Sequence, residues 1–353
     1  MAQSPATRVV HAGLPPAEAG APFLPGPVFA APFHLPGDAH QTPFGYSRYD
    51  NPTWAAYEKA LAELEDATHV TLFASGMAAC SAVMLSTLKP GDVFVAPSDG
   101  YPVLRTLAQG HVSDRGVEVR LVPTAGAWSP ALDGARLVWL ESPSNPRLDV
   151  CDINAIANGA HDAGAIVCVD NTLLTPLGQR PLDLGADLAV YADTKAMTGH
   201  ADLLMGHVST RDDELASQIR AWRSQTGSVP GPFETWLAHR SLATLDVRLA
   251  RQRANADAIA ALLSARADVA DVRHAGMLVS FTLESAERAQ RFIDACQLVI
   301  DATSFGGVHS TAERRARWGH GDDVPDGFVR LSAGIEATAD LLADVQAALD
   351  EPV

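Results

Sequence analysis

The strongest constraint on the fold is a recurrence of short runs, mostly apolar, that stop abruptly at polar residues. Such runs occur at Val70–Ala74, Asp92–Pro97, Val117–Val122, Ala135–Leu140, Ala165–Val169 and Leu188–Tyr191. Each is short for a helix and is followed by turn-forming residues, so each reads as a strand of a sheet interior. Helical segments separate them. Trp54–Ala67 carries Tyr57, Leu61 and Leu64 at helical spacing, an apolar helix follows Ser75 as far as Leu88, and Ile153–Ala163 is a third. Strands alternating with helices in this way predict an α/β domain with a mostly parallel sheet.

In such a sheet, ligands bind beyond the carboxyl ends of the strands. The polar residues that fall there are Ser75 and Gly76, Tyr101, Asn145, Asp170, and Thr194 with Lys195. Ser75-Gly76-Met77 is a strand–turn–helix junction whose free N–H groups and helix dipole suit an anion, although a tight packing turn reads the same way locally. Lys195 follows a buried strand, where an ammonium is costly unless paired or neutralised. That cost is useful if the amine must act as a nucleophile, for example in an imine. A strand-end lysine with its head in water is the bland alternative, and the convergence of the other groups argues against it. Together they match pyridoxal phosphate. Lys195 would bind the aldehyde carbon, Asp170 would pair with the ring nitrogen, and Tyr101 would lie against the ring. The Gly76 and Met77 N–H groups and the Thr194 hydroxyl would hold the phosphate.

The 353 residues, 47% of them apolar, suffice for one large and one smaller domain. A formal net charge of −16 argues against nucleic acid or an anionic membrane as partner. Cys80, Cys151, Cys168 and Cys296 are dispersed and form no CxxC pair, so they read as reduced, mostly buried residues, and no metal site is expected. No run is long enough to span a membrane and no signal peptide is visible, so a cytoplasmic location is expected. Residues 1–45 are a Pro/Gly-rich arm in which long helix is ruled out; a neighbouring subunit could order it. Residues 46–230 form the large domain, closed by the Gly227–Pro232 break. Residues 231–353 form a small α/β domain. It is expected to hold one long helix from Phe233 to about Leu263, strands at Leu278–Thr282, Leu298–Ile300 and Phe328–Ser332, and helices at Ala286–Ala295 and Ala337–Leu349.

Eight stretches resemble the Cys/Met-metabolism family of pyridoxal-phosphate enzymes, which includes cystathionine γ-lyase, cystathionine γ-synthase and methionine γ-lyase. They are YSRYDNPT (46–53), FASGMAA (73–79), ESPSNP (141–146), VDNTLLTPLGQRPLDLGADL (169–188), DTKAMTGHAD (193–202), GPFETWLAHRSLATL (231–245), SFGGVHS (304–310) and GFVRLSAGIE (327–336). The opening segment and the RARWGHGDDVP stretch are most similar to actinobacterial cystathionine γ-lyases. The resemblance implies a fold-type-I, aspartate-aminotransferase-like subunit and a homotetramer built from two dimers. Tyr46 and Arg48 would reach the phosphate of the neighbouring subunit. Arg330 would clamp the substrate carboxylate with help from Ser304 and Asn145, and Tyr101 would supply an acid to the leaving group.

The implied reaction is α,γ-elimination of L-cystathionine to cysteine, 2-oxobutanoate and ammonia. Alternatives are a γ-replacement enzyme of the same family, or a non-catalytic protein that binds the cofactor for regulation. Several positions depart from the family pattern. Ala192 stands where serine is usual, Pro102-Val103-Leu104 follows Tyr101, Thr303 stands where several relatives carry glutamate, and His309 replaces another glutamate. The connection between Gly276 and Met277 is much shorter than the family's.

Overall fold

A computed structural model describes residues 3–38, 41–319 and 322–351. The remaining positions, which include parts of the N-terminal arm and His320 and Gly321 of the RARWGHGDDVP stretch, lie outside the described residues.

The chain opens with a short helix, α1 (Pro5–His11), capped by the Ser4 hydroxyl. Its Val9 packs in one cluster with Trp54 and Tyr57 of α2 (Pro52–Glu65). The arm between them is largely irregular. α2 begins as its sequence demands: Pro52 fills the first turn, and the Asn51 side chain accepts from the Thr53 N–H at 2.9 Å.

Seven strands form the large sheet: β1 (His69–Phe73), β2 (Val93–Pro97), β3 (Glu118–Val122), β4 (Ala135–Glu141), β5 (Ile166–Asp170), β6 (Leu188–Tyr191) and β7 (Gly206–Thr210). Their order is β1-β7-β6-β5-β4-β2-β3. Neighbouring strands from β3 to β6 pair in parallel, whereas β7 is antiparallel to both its neighbours. The apolar runs of the sequence are explained by helices on both faces. Leu137 and Trp139 of β4 pack with α3 (Gly76–Thr87) in one core. The intervening Val138 and Leu140 face a second core, closed by α5 (Ile153–Asp162), so both sets of alternating side chains must be apolar. Short helices α4 (Pro102–Leu107) and α6 (Thr175–Gly178) follow β2 and β5, and α7 (Asp213–Thr226) covers the α3 face beside β1 and β7.

The long helix expected from Phe233 to Leu263 is instead two helices, α8 (Pro232–Leu242) and α9 (Leu245–Ser264). Thr244, at φ −110° and ψ 5°, leaves helical geometry between them. Ala238 and Leu242 of α8 and Leu245 and Leu249 of α9 join the core of Trp54 and Tyr57, while Ile259 and Leu263 reach a separate core with Phe281 and Phe292. Both sides of the break thus serve the first core, and α9 alone carries the chain on to the second.

The second sheet contains β8 (Ala270–Ala275), β9 (Leu278–Thr282), β10 (Ile300–Asp301), β11 (Thr311–Arg314) and β12 (Phe328–Ser332), ordered β10-β11-β12-β9-β8. Helices α10 (Ala286–Ala295) and α11 (Thr338–Asp350) cover it. β8 and β11 escaped the sequence pattern because β8 is an exposed edge and β11 carries Glu313 and Arg314. The short connection at Gly276 closes as a two-residue hairpin turn. Ala275 pairs with Leu278, and Gly276 adopts a φ of +57° that favours glycine.

Candidate active site

A cavity of about 400 Å³ lies beyond the carboxyl ends of the parallel strands, between the two sheets. It is lined by Ser75, Gly76, Met77, Tyr101, Asn145, Asp170, Thr194, Lys195, Ser304 and Arg330. Of the expected site residues, only Tyr46 and Arg48 lie elsewhere. Arg48 donates to the Ser224 carbonyl at 2.8 Å and packs over the Tyr46 and Tyr49 rings, 5.5 and 4.7 Å from their centroids.

Lys195 sits in the loop from β6 to β7. Its Nζ donates to Ser304 Oγ at 2.6 Å and lies 5.2 Å from the Phe305 ring centroid. Burial, and then the Arg330 charge, push its amine down to about 8. The loop is clamped from several sides. The Thr194 hydroxyl donates to the Met205 carbonyl at 3.1 Å and accepts from the Met205 N–H at 3.0 Å, so this chain already occupies it. Arg248 of α9 donates to the carbonyls of Ala196 and Met197 at 2.7 and 3.2 Å.

Beneath the loop lies a buried ionic network. His207 Nδ1 is 2.7 Å from Asp193 Oδ1, and its Nε2 is 2.7 Å from Glu65 Oε1. The Tyr57 hydroxyl donates to Asp193, and the His207 ring stacks on Tyr191 at 4.4 Å. The two carboxylates outweigh the burial of the imidazole and raise His207 to about 10. The sequence reading missed this network. Its one visible signal was an acidic residue, Asp193, two positions past a buried strand.

Asp170 and Glu141 end adjacent parallel strands and stand opposite each other in register. Asp170 accepts from the Thr172 N–H at 3.0 Å; Glu141 accepts from the N–H groups of Tyr101 and Asn145 at 2.6 and 3.0 Å. Burial raises both carboxyls, and Asp170 raises Glu141 further. This acidic wall has no cation of its own among the hydrogen bonds and ion pairs it makes. A ring N–H carrying positive charge would complete it.

At the opposite wall, Ser75 caps α3 by accepting from the Ala78 N–H at 3.1 Å. The first-turn N–H groups of Gly76 and Met77 have no preceding helical carbonyl to bond. Glycine is required here: a Cβ on Gly76 would lie 2.5 Å from the Ala192 Cβ. That closeness brings the lysine loop against the helix start. An acidic pair, an amine and a helix N-terminus on one cavity therefore fit a phosphorylated, aldehyde-bearing pyridine.

Arg330, from β12, is buried. It donates to Asn145 Oδ1 at 2.6 Å and to the Ser304 carbonyl at 2.9 Å, and it also contacts the Glu313 carboxylate. Burial lowers its pKa to about 10, which leaves it charged near neutrality. The Tyr101 phenol is raised, chiefly by burial and then by Cys80 and Asp170, and stays protonated. Glu141, Cys80, Thr172 and Arg315 also line the cavity, although the sequence did not single them out as site residues. Glu141 was detectable as the polar terminus of an otherwise apolar strand.

The fold and this cavity define a pyridoxal-phosphate-dependent enzyme of fold type I. More narrowly, the chain belongs to the family described as Cys/Met metabolism PLP-dependent enzymes, whose model matches residues 28–350, and it is a transsulfuration enzyme of sulfur amino-acid metabolism. A Streptomyces coelicolor protein named "Putative cystathionine gamma-lyase" is 50% identical, over 98% of this chain and 93% of its own. The cystathionine gamma-synthase of Mycobacterium tuberculosis H37Rv is 36% identical over 98% of this chain and 96% of its own. Among solved structures, metB from Corynebacterium glutamicum superposes with a TM-score of 0.94 at 33% identity, covering 99% of this chain and 98% of that one.

Proposed function

We propose that the enzyme is a carbon–sulfur lyase that eliminates at the γ-carbon, converting L-cystathionine and water to L-cysteine, 2-oxobutanoate and ammonia. The observation that carries this reading is the pairing, in one cavity, of a low-pKa Lys195 amine with a buried Arg330. The 50% identical Streptomyces relative supports it. When bound, pyridoxal phosphate supplies the electron sink for the negative charge that develops at the substrate α-carbon.

The chain's own residues have distinct duties. Gly76 and Met77 offer N–H groups to the phosphate, and Asp170 offers a carboxylate to the ring nitrogen. Thr194 lines the same wall with its hydroxyl already engaged, and Ala192 supplies none, so the phosphate depends more on the helix start and on charge from elsewhere. Arg48 provides such charge, and Tyr46 a hydroxyl donor, if they reach a partner subunit's cavity, as in a homotetramer of two dimers. Arg330, held by Asn145, binds the substrate α-carboxylate. The Lys195 amine removes the α-proton, with Ser304 accepting one of its N–H bonds and aiming it. The protonated Tyr101 phenol delivers a proton to the departing thiolate.

The second reading is γ-replacement, in which a thiol rather than water captures the substrate carbon skeleton. The relatives named as gamma-synthases favour it. Product analysis on the purified holoenzyme separates the two. Cystathionine alone should yield 2-oxobutanoate and cysteine. Pyruvate and homocysteine, or turnover only when a homoserine ester and a thiol are both present, would overturn the lyase assignment. Lys195→Ala should lose both turnover and the cofactor's visible absorption band.

A further inference from the structure

Arg330 is not the only guanidinium facing the cavity. Arg315, in the turn after β11, lines it as well, with only 11% of its side chain exposed. Its Nη1 donates to Glu313 Oε1 at 2.9 Å, and its Nε donates to Asp322 Oδ2 at 2.9 Å. Its Nη2 donates to the same Asp322 oxygen at 2.5 Å. An arginine has five N–H donors, so one on each terminal nitrogen is left over. Glu313 also binds Arg330 and the Trp318 indole, so both of its oxygens are satisfied without Arg315. Arg315 neutralises the buried Asp322 carboxylate, but Glu313 does not need it, and two of its donors remain at the cavity wall. It lines the same cavity as the Tyr101 phenol, the group assigned to the leaving arm, and its charge acts on that phenol.

We infer that Arg315 reads a second anionic group on the substrate, a carboxylate carried by the leaving-group arm, and so selects γ-substituted amino acids with two carboxylates over those with one. This rests on the proposed assignment of Arg330 to the α-carboxylate. Two guanidiniums that share one Glu313 oxygen stand side by side, each with donors left for an anion of its own. Arginine suits the task because its planar fork matches a carboxylate and stays charged when buried.

The test is calorimetric binding to the holoenzyme and needs no turnover, so it stays readable if the lyase assignment fails. The probes are L-2-aminosuberate and L-2-aminooctanoate, which share the α-amino acid head and chain length and differ only in the distal carboxylate. Wild type should bind 2-aminosuberate at least about 10-fold more tightly, from the usual strength of a charge-assisted hydrogen bond. Arg315→Leu should cut that ratio to about 3-fold or less. Arg315→Gln retains hydrogen bonds toward Glu313 and Asp322 and should do the same, so a folding defect in the leucine variant does not decide the matter. Arg315→Lys should restore part of the ratio. A wild-type ratio near one overturns the inference. So does an equal loss of both ligands in the variants, since Arg315 would then act only by supporting Arg330.

Discussion

Replacing His207 with glutamine should destabilise the protein far more than a typical single substitution. The imidazole is fully buried between Asp193 and Glu65 and is raised from 6.5 to about 10. A displacement of that size corresponds to about 5 kcal/mol of preferential binding of the proton by the folded state. Removing one partner of a buried ion cluster independently suggests about 3–5 kcal/mol, because the remaining carboxylates stay in a low-dielectric interior without a cation. Glutamine keeps some hydrogen bonding but supplies no charge. Thermal melting of the holoenzyme at pH 7 should therefore drop by about 5–10 °C.

The pH dependence gives a second signature. A group whose folded pKa lies above its unfolded value stabilises fully below about 6.5, and that stability is lost as pH rises towards about 10. The wild-type melting temperature should fall across this window, and the His207→Gln curve should be flatter. Asp193→Ala should cost less, since His207 keeps Glu65, and the double variant should lose less than the sum of the singles. A His207→Gln protein melting within about 1 °C of wild type, with a parallel pH profile, would refute the argument.

Four further outcomes are expected. In the apoprotein, acylation of Lys195 should titrate with a midpoint near 8 rather than at the ordinary lysine value, as read by mass spectrometry of the labelled peptide. Asp170→Asn should weaken cofactor retention on dialysis by about 10-fold or more, because a neutral amide cannot match a positively charged ring N–H. Gly76→Ala should impair cofactor binding without unfolding the domain, since the added methyl would meet Ala192 at 2.5 Å and push the lysine loop off the helix start. Arg248→Met should loosen the lysine loop by leaving the Ala196 and Met197 carbonyls unpaired; limited proteolysis near residue 200 and a lower melting temperature would report it.

Much of the large sheet was legible because helices cover both of its faces. Leu137 and Trp139 must be apolar for one core and Val138 and Leu140 for the other, so β4 stands out as a continuous run. Lys195, Asp170, Tyr101 and Ser75 were legible as well, because a polar residue at the end of such a run has few structural excuses. The break between α8 and α9 was not, since apolar residues recur at helical spacing on both sides of it and pack into one core. β11 was hidden by its own content: Glu313 is buried there only because Arg315, Arg330 and Trp318 converge on it.

The sequence by itself determined which residues end strands and therefore which functional groups reach one edge of the sheet. It also carried the family motifs that identify the chemistry. Local rules suffice for this, since burial periodicity and turn chemistry act over a few residues. Only the tertiary structure decided the pairings that tune those groups. Asn145 holds Arg330 across 185 positions of chain, Ser304 meets Lys195 across 109, and Glu65 meets His207 across 142. Electrostatics and hydrogen bonding depend on distance in space, so the acidic pair at Asp170 and Glu141 exists only once β4 and β5 have paired, and the amine's lowered pKa and the second guanidinium at the cavity only once the two sheets have packed.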